Sequence, residues 1–189
     1  GTVASYLSPA STGPNLVEGR ELSSPQSLAV DVSGATPALY VADSQNNRVL
    51  GWKDASALKD VKSGKFGVKA DVVIGQLDFS STVAYGQGGS KSLSAFSSGL
   101  FGPSSVAVDS KGNLWVWDSG NNRILRFPNP MANIGKLQRA DLILGQKDMT
   151  SNLANQGAAA PSEATLNSFV AGLGIMQGSL LFDSAGNLV

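Results

Sequence analysis

The densest group of chemically capable side chains is a short string written twice, Asp43-Ser44-Gln45-Asn46-Asn47-Arg48 and Asp118-Ser119-Gly120-Asn121-Asn122-Arg123. A carboxylate five residues before a guanidinium, with two amides between them, can form a charge-assisted ion pair or can offer hard oxygen ligands to a cation. Asp43 and Asp118 therefore have two readings. Either they are strand-end turn partners for the nearby Asn or Arg, or they contribute to a ring of acceptors that holds a structural Ca²⁺. Arg48 and Arg123 are either braces between strands or contacts to a ligand, in company with Asn46, Asn47, Asn121 and Asn122. The repetition itself favours the structural reading. A catalytic site assembles different groups once, whereas a residue that recurs at equivalent places satisfies the same buried donors each time.

Composition narrows the chemistry further. The 189 residues contain no His and no Cys, which removes the Ser-His-Asp triad, thiolate chemistry and most zinc and copper sites. Lys plus Arg and Asp plus Glu number 14 each, so the chain has no overall field to attract nucleic acid or an anionic membrane. No stretch approaches the roughly 20 apolar residues of a membrane span. The only glutamates, Glu18, Glu21 and Glu163, lie outside the apolar runs described next.

The elements that must position these residues also repeat. Pro25 recurs as Pro103 and Asp31 as Asp109, each 78 positions on, while Asp43 and Arg48 recur 75 positions on as Asp118 and Arg123. ADVVIGQLD at 70 to 78 returns as ADLILGQKD at 140 to 148, and SLLFDSAGNLV at 179 to 189 restarts the pattern. Within one copy, the runs SLAVD, ALYVAD, RVLGW and ADVVIG have strand length and β-branched or aromatic composition, and turn residues bound them. Four antiparallel strands repeated at a fixed period predict an all-β chain built as a β-propeller, each blade covering its neighbour's apolar face. A two-sheet sandwich is the competing architecture. The expected division of this single partial domain is an N-terminal segment 1–21, blade 1 at 22–78, an insert at 79–102, blade 2 at 103–148, an insert at 149–178 and the start of blade 3 at 179–189. That is about two and a half blades, fewer than a closed propeller needs. The recurring pairs Trp52 and Phe127, and Tyr40 and Trp115, are expected in the core.

The pattern P-x-S-[LV]-A-V-D, then G-N-L-W-V, then D-S-G-N-N-R-[IV]-L, resembles the NHL repeat over residues 22–52 and 100–127. The added [VL]-I-[LV]-G-Q-x-D segment is similar to a long-repeat form found in bacterial, often exported, proteins. The third copy departs from the pattern, because Gln177 stands where Pro is expected. The resemblance implies a non-enzymatic scaffold that presents loops to a protein or carbohydrate partner, with no cofactor beyond a structural Ca²⁺ at most. It leaves the compartment open while pointing to export. The alternative is a lactonase-like hydrolase with an axial Ca²⁺ supplied partly from outside this chain. A related metal-dependent lyase fails on ligands, since its site needs His.

Function is expected where the copies differ. The connections from strand d to the next strand a share one end of a blade with the Asn-Asn-Arg turns, so the long insert at 79–102 lies beside those turns. Its Tyr85, Phe96 and Phe101 either anchor the loop or contact a partner, and deletion of 82–97 is expected to leave folding nearly intact. The loop at 53–69 carries five Lys against two Asp but lacks interleaved Arg and aromatic residues, unlike a nucleic-acid surface. The uncovered edge at 179–189 is expected to recruit another copy of the chain, the segment TVASYL, or further blades.

Overall fold

The computed structural model describes residues 17–60, 67–85, 97–170, 174–175 and 178–189. Strands β1 (Pro25–Asp31), β2 (Ala38–Asp43), β3 (Arg48–Trp52) and β4 (Val72–Ile74) form one antiparallel sheet in sequential order. Strands β5 (Pro103–Val108), β6 (Leu114–Asp118), β7 (Arg123–Phe127) and β8 (Leu142–Leu144) form a second sheet with the same order. The registers coincide: Pro25 pairs with Asp43 and Asp43 with Arg48 in the first sheet, Pro103 with Asp118 and Asp118 with Arg123 in the second. Each first strand carries one register shift, between Pro25 and Ser27 and between Pro103 and Ser105. A proline cannot donate to the ladder, so a bulge at this place is its natural setting. Among the described residues all helical segments are short 3-10 turns, and none is long and apolar enough to cross a membrane.

Alternation along the strands gives each sheet two apolar faces. Ala29, Tyr40, Ala42 and Val49 of the first sheet pack on Val106, Val108, Leu114, Val116, Leu125 and Phe127 of the second. The opposite face of the second sheet presents Ala107, Trp115, Trp117 and Ile124, and these are covered by Leu180, Phe182 and Leu188. The latter belong to a third partial copy, where Leu181 and Val189 exchange both backbone hydrogen bonds and Phe182 bridges Leu188. The remaining face of the first sheet, Val41, Leu50 and Trp52, is covered at its outer part by Leu58, Ala70 and Phe79.

The third copy is reached by a longer connection than the second. Gly102 and Ser168 occupy the same structural place, each donating its backbone N–H to an Asn Oδ1 of the preceding sheet. Only Pro103 and Ser104 separate Gly102 from Ser105, but Ser168 is followed by a hairpin, β9 (Phe169–Val170) with β10 (Gly174–Ile175), before Ser179. Gln177, which the sequence aligns with Pro25 and Pro103, lies outside the described residues, as do TVASYL and the lysine-bearing stretch 61–66.

Candidate functional site

Each Asp-Asn-Arg string folds as a tight hairpin connection. Ser44–Asn46 and Ser119–Asn121 form single 3-10 turns, closed by Asn47 (φ 52, ψ 42) and Asn122 (φ 52, ψ 46) in the left-handed region. Asparagine is the side-chain-bearing residue that best tolerates that conformation, which explains its place before both arginines.

The carboxylates are saturated by their own chain. Asp43 accepts from the Ser23 backbone N–H at 2.6 Å, from Asn46 Nδ2 at 2.9 Å and from Arg48 Nε at 2.7 Å. Asp118 accepts from the Phe101 N–H at 2.7 Å, from Asn121 Nδ2 at 2.8 Å and from Arg123 Nε at 2.7 Å. Both ion pairs are fully buried. Burial pushes the Asp118 carboxyl above its usual value, against the pull of the Arg123 charge and of these donors. A cation at Asp43 or Asp118 would have to displace a guanidinium, and among the described residues no group of three or more acidic or other metal-binding side chains is arranged to hold one. Asp31, Asp109 and Asp183, which recur at one place in the repeat, also serve local turns. Asp109, for example, accepts from the Lys111 and Asn113 N–H groups and from Asn113 Nδ2 and Trp115 Nε1.

The rest of each guanidinium holds loops. Arg48 Nη1 donates to Phe79 O at 2.6 Å and Nη2 to Glu21 O at 3.0 Å. Arg123 repeats this with Met149 O at 2.7 Å and Gly99 O at 2.9 Å. Each arginine thus ties the segment arriving at its sheet to the segment leaving it. The asparagine before it extends the tie. Asn47 Nδ2 donates to Thr82 O while its Oδ1 accepts from Gly102 N–H, and Asn122 does the same with Asn152 O and Ser168 N–H.

Two further residues, missed as site residues from the sequence, complete the frame. Gln76 Nε2 donates to Asn47 O and Val83 O, and Gln146 Nε2 donates to Asn122 O and Leu153 O. The visible signal was the repeated Gly-Gln pair at the end of strand d. Gly75 and Gly145 turn the chain there with φ of +94° and +87°, and a Cβ on either would run into Leu100 or Leu166. The exposed Asp78 and Asp148 then cap the next turn, accepting from Ser80 and Ser81 and from Thr150 and Ser151. These donors lower both carboxyls, Asp148 to about 2.

The connections after strand d are therefore repeated structure as far as Tyr85 and Asn155, which share positive φ and donate their N–H groups to Leu100 O and Leu166 O. Between those points the two copies differ in sequence, over 86–99 and 156–165. Deletion of 82–97 would remove anchored residues, so the expectation of intact folding has to be restricted to a cut that starts after Tyr85.

Arg48, Arg123 and Asn121 are fully buried, Asn122 is buried, and Asn46 and Asn47 are half-buried. Tyr85 is 5% exposed with its ring centroid 5.2 Å from that of Phe101, so it anchors its loop, and burial raises its hydroxyl's pKa. Phe96 lies outside the described residues. What the frame does present is aliphatic: Val83 (46% exposed) and Leu153 (63% exposed) at equivalent positions, with Leu77 exposed beside the first. Leu77 also lines a cleft of about 310 Å³ with Phe79, Ile134, Lys136 and Leu137.

Residues 102–127, from the approach to β5 through β7, match the family model of the NHL repeat. The chain is thus an all-β protein carrying an NHL repeat, and that repeat is the segment holding Asp118 and Arg123. A comparison with curated proteins gave no match.

Proposed function

We propose that the chain is about two and a half blades of an NHL-type propeller and that it is a non-enzymatic scaffold binding a protein partner through the end bearing the Asn-Asn-Arg turns. The supporting observation is that the buried Asp-Arg-Asn-Gln frame fixes the backbone on both sides of an exposed aliphatic residue in each copy, Val83 and Leu153. Exposed apolar side chains held on a rigid base contribute affinity at low ordering cost. They favour a protein over a carbohydrate, whose rings want an exposed aromatic platform, and Tyr85 is buried. The hydrolase alternative gains no support from Asp43 and Asp118, whose lone pairs face Arg48, Arg123 and amide donors.

A random peptide library selected on the immobilised protein tests this reading. Enriched peptides are expected to bind at least about tenfold more weakly to the Val83→Asp, Leu153→Asp double variant, the cost of placing a charge in an apolar contact, and equally well to Lys111→Glu at the opposite end. Failure to enrich any peptide, or binding indifferent to the double variant, overturns it. Selective binding on a glycan array moves the reading to carbohydrate. Ca²⁺-dependent lactone hydrolysis lost in Asp118→Asn establishes the enzyme.

A further inference from the structure

The end of strand d is written GQLD in the first copy and GQKD in the second, so Leu77 stands where the second copy carries Lys147. The turn that follows is the same in both, capped by Asp78 and Asp148, so the fold does not call for an apolar side chain at this place. Leu77 is not isolated. It lines the cleft of about 310 Å³ with half-buried Phe79 of its own copy and with Ile134 and Leu137, both exposed, of the loop after β7. The cleft thus lies between the first and second copies. Its volume is at the small end of ligand sites, which run from about 300 to 1,000 Å³, and suits a molecule of amino-acid size.

The charges around it sort into two groups. Asp71 pairs with Lys53 at 3.4 Å, and the Lys69 ammonium rests over the Phe79 ring, 4.8 Å from its centroid. Asp78 and Lys136 are left, one on each wall. Asp78 takes the Ser80 and Ser81 donors on Oδ1 alone, and nothing among the described residues donates to its Oδ2. Those donors hold the carboxyl below its usual value, so it is ionised at neutral pH. Gln76, in the same wall, adds a buried Oε1 to which no described residue donates. The Lys136 ammonium meets Asn133 Oδ1 at 3.5 Å and pairs with no carboxylate among the described residues.

We propose that this cleft binds a free apolar α-amino acid, its ammonium on Asp78, its carboxylate on Lys136 and its side chain against Leu77, Ile134 and Leu137. A zwitterion carries two opposite charges within one small molecule, as the two walls require, and a charge-assisted hydrogen bond at each end fixes its orientation. An aliphatic side chain matches the aliphatic lining. The site is separate from the protein contact proposed above, because neither Val83 nor Leu153 lines the cleft.

Titration calorimetry of the full chain at neutral pH tests this with L-leucine as the probe, which should bind saturably, one molecule per chain. Leucinamide, which lacks the carboxylate, and N-acetyl-leucine, which lacks the ammonium, should each bind at least about tenfold more weakly, the loss of one hydrogen bond between charged groups. Lys136→Gln should weaken leucine binding by a similar factor. Leu77→Lys should abolish it, while thermal melts match the parent because the second copy carries lysine at the same place. Leucine that does not bind, a blocked analogue that binds as well as leucine, or binding unchanged in Leu77→Lys or in Lys136→Gln overturns the proposal.

Discussion

Arg123 has the charge of a ligand contact and the surroundings of a structural brace. It donates to Asp118, to Met149 O and to Gly99 O while wholly removed from solvent. Desolvation raises the Asp118 carboxyl in spite of the pairing, which agrees with the general finding that a buried ion pair fixes geometry more than it adds net stability. Removing one partner is a different matter, because the other charge is left buried and alone. Arg123→Ala should therefore destabilise by about 3–5 kcal/mol. Arg123→Lys should recover only part of this, since an ammonium lacks the planar fork that reaches a carboxylate and two carbonyls together. Thermal melts of both variants decide it, and a shift near zero for alanine would place the residue outside the frame. The sequence carried both readings of this arginine and could not choose between them. The choice depends on Gly99 and Met149, as it does on Glu21 and Phe79 for Arg48, and these contribute backbone carbonyls that leave no mark in side-chain type.

At the scale of elements, the strands were legible and the loops were not. ALYVAD and RVLGW are β2 and β3 as written, because β-branched runs between turn residues have few other ways to bury themselves. The segment at 79–102 was expected to be an insert from its length, yet its first seven residues repeat the structure of 149–155, with Phe79 in Met149's place, Thr82 in Asn152's and Tyr85 in Asn155's. The similarity lies in carbonyl positions and left-handed φ, which unlike side chains such as Tyr85 and Asn155 satisfy equally well. Gln146 is the residue that enforces this shape in the second copy. Its Nε2 serves Asn122 O and Leu153 O; in Gln146→Ala, Leu153 O keeps the Gln156 N–H while the buried Asn122 O loses this donor, at about 1–3 kcal/mol. The expected outcome is local. Amide exchange should quicken at Asn155, whose N–H rests on Leu166 O, while the amides of β6 and β7 keep most of their protection. Equal loss everywhere would mean that the loop and the sheet open together and that the frame is part of the global core.

For the molecule as a whole, the first sheet keeps only a smaller cluster of its own, Val41, Leu50, Trp52 and Ala70, and the main core belongs to neither sheet alone. The largest buried cluster is shared, with Tyr40, Ala42 and Val49 from one sheet and Leu114, Val116, Leu125 and Phe127 from the other, so each sheet's stability includes the surface its neighbour covers. Repeat architectures of this kind behave as a chain of units coupled to their nearest neighbours. Leu125 sits at that junction without exposure, and Leu125→Ala deletes buried methyl groups that face both sheets, at about 2–5 kcal/mol. Were the sheets independent, only the second would feel the cavity, and the slowest amides of β2 and β3 would exchange as before. Because the junction is shared, those amides should accelerate together with the slowest amides of β6 and β7 and by a comparable factor. Hydrogen exchange followed strand by strand measures the two groups in one experiment, and acceleration confined to β5–β8 would show that the junction packs the sheets together without coupling their unfolding.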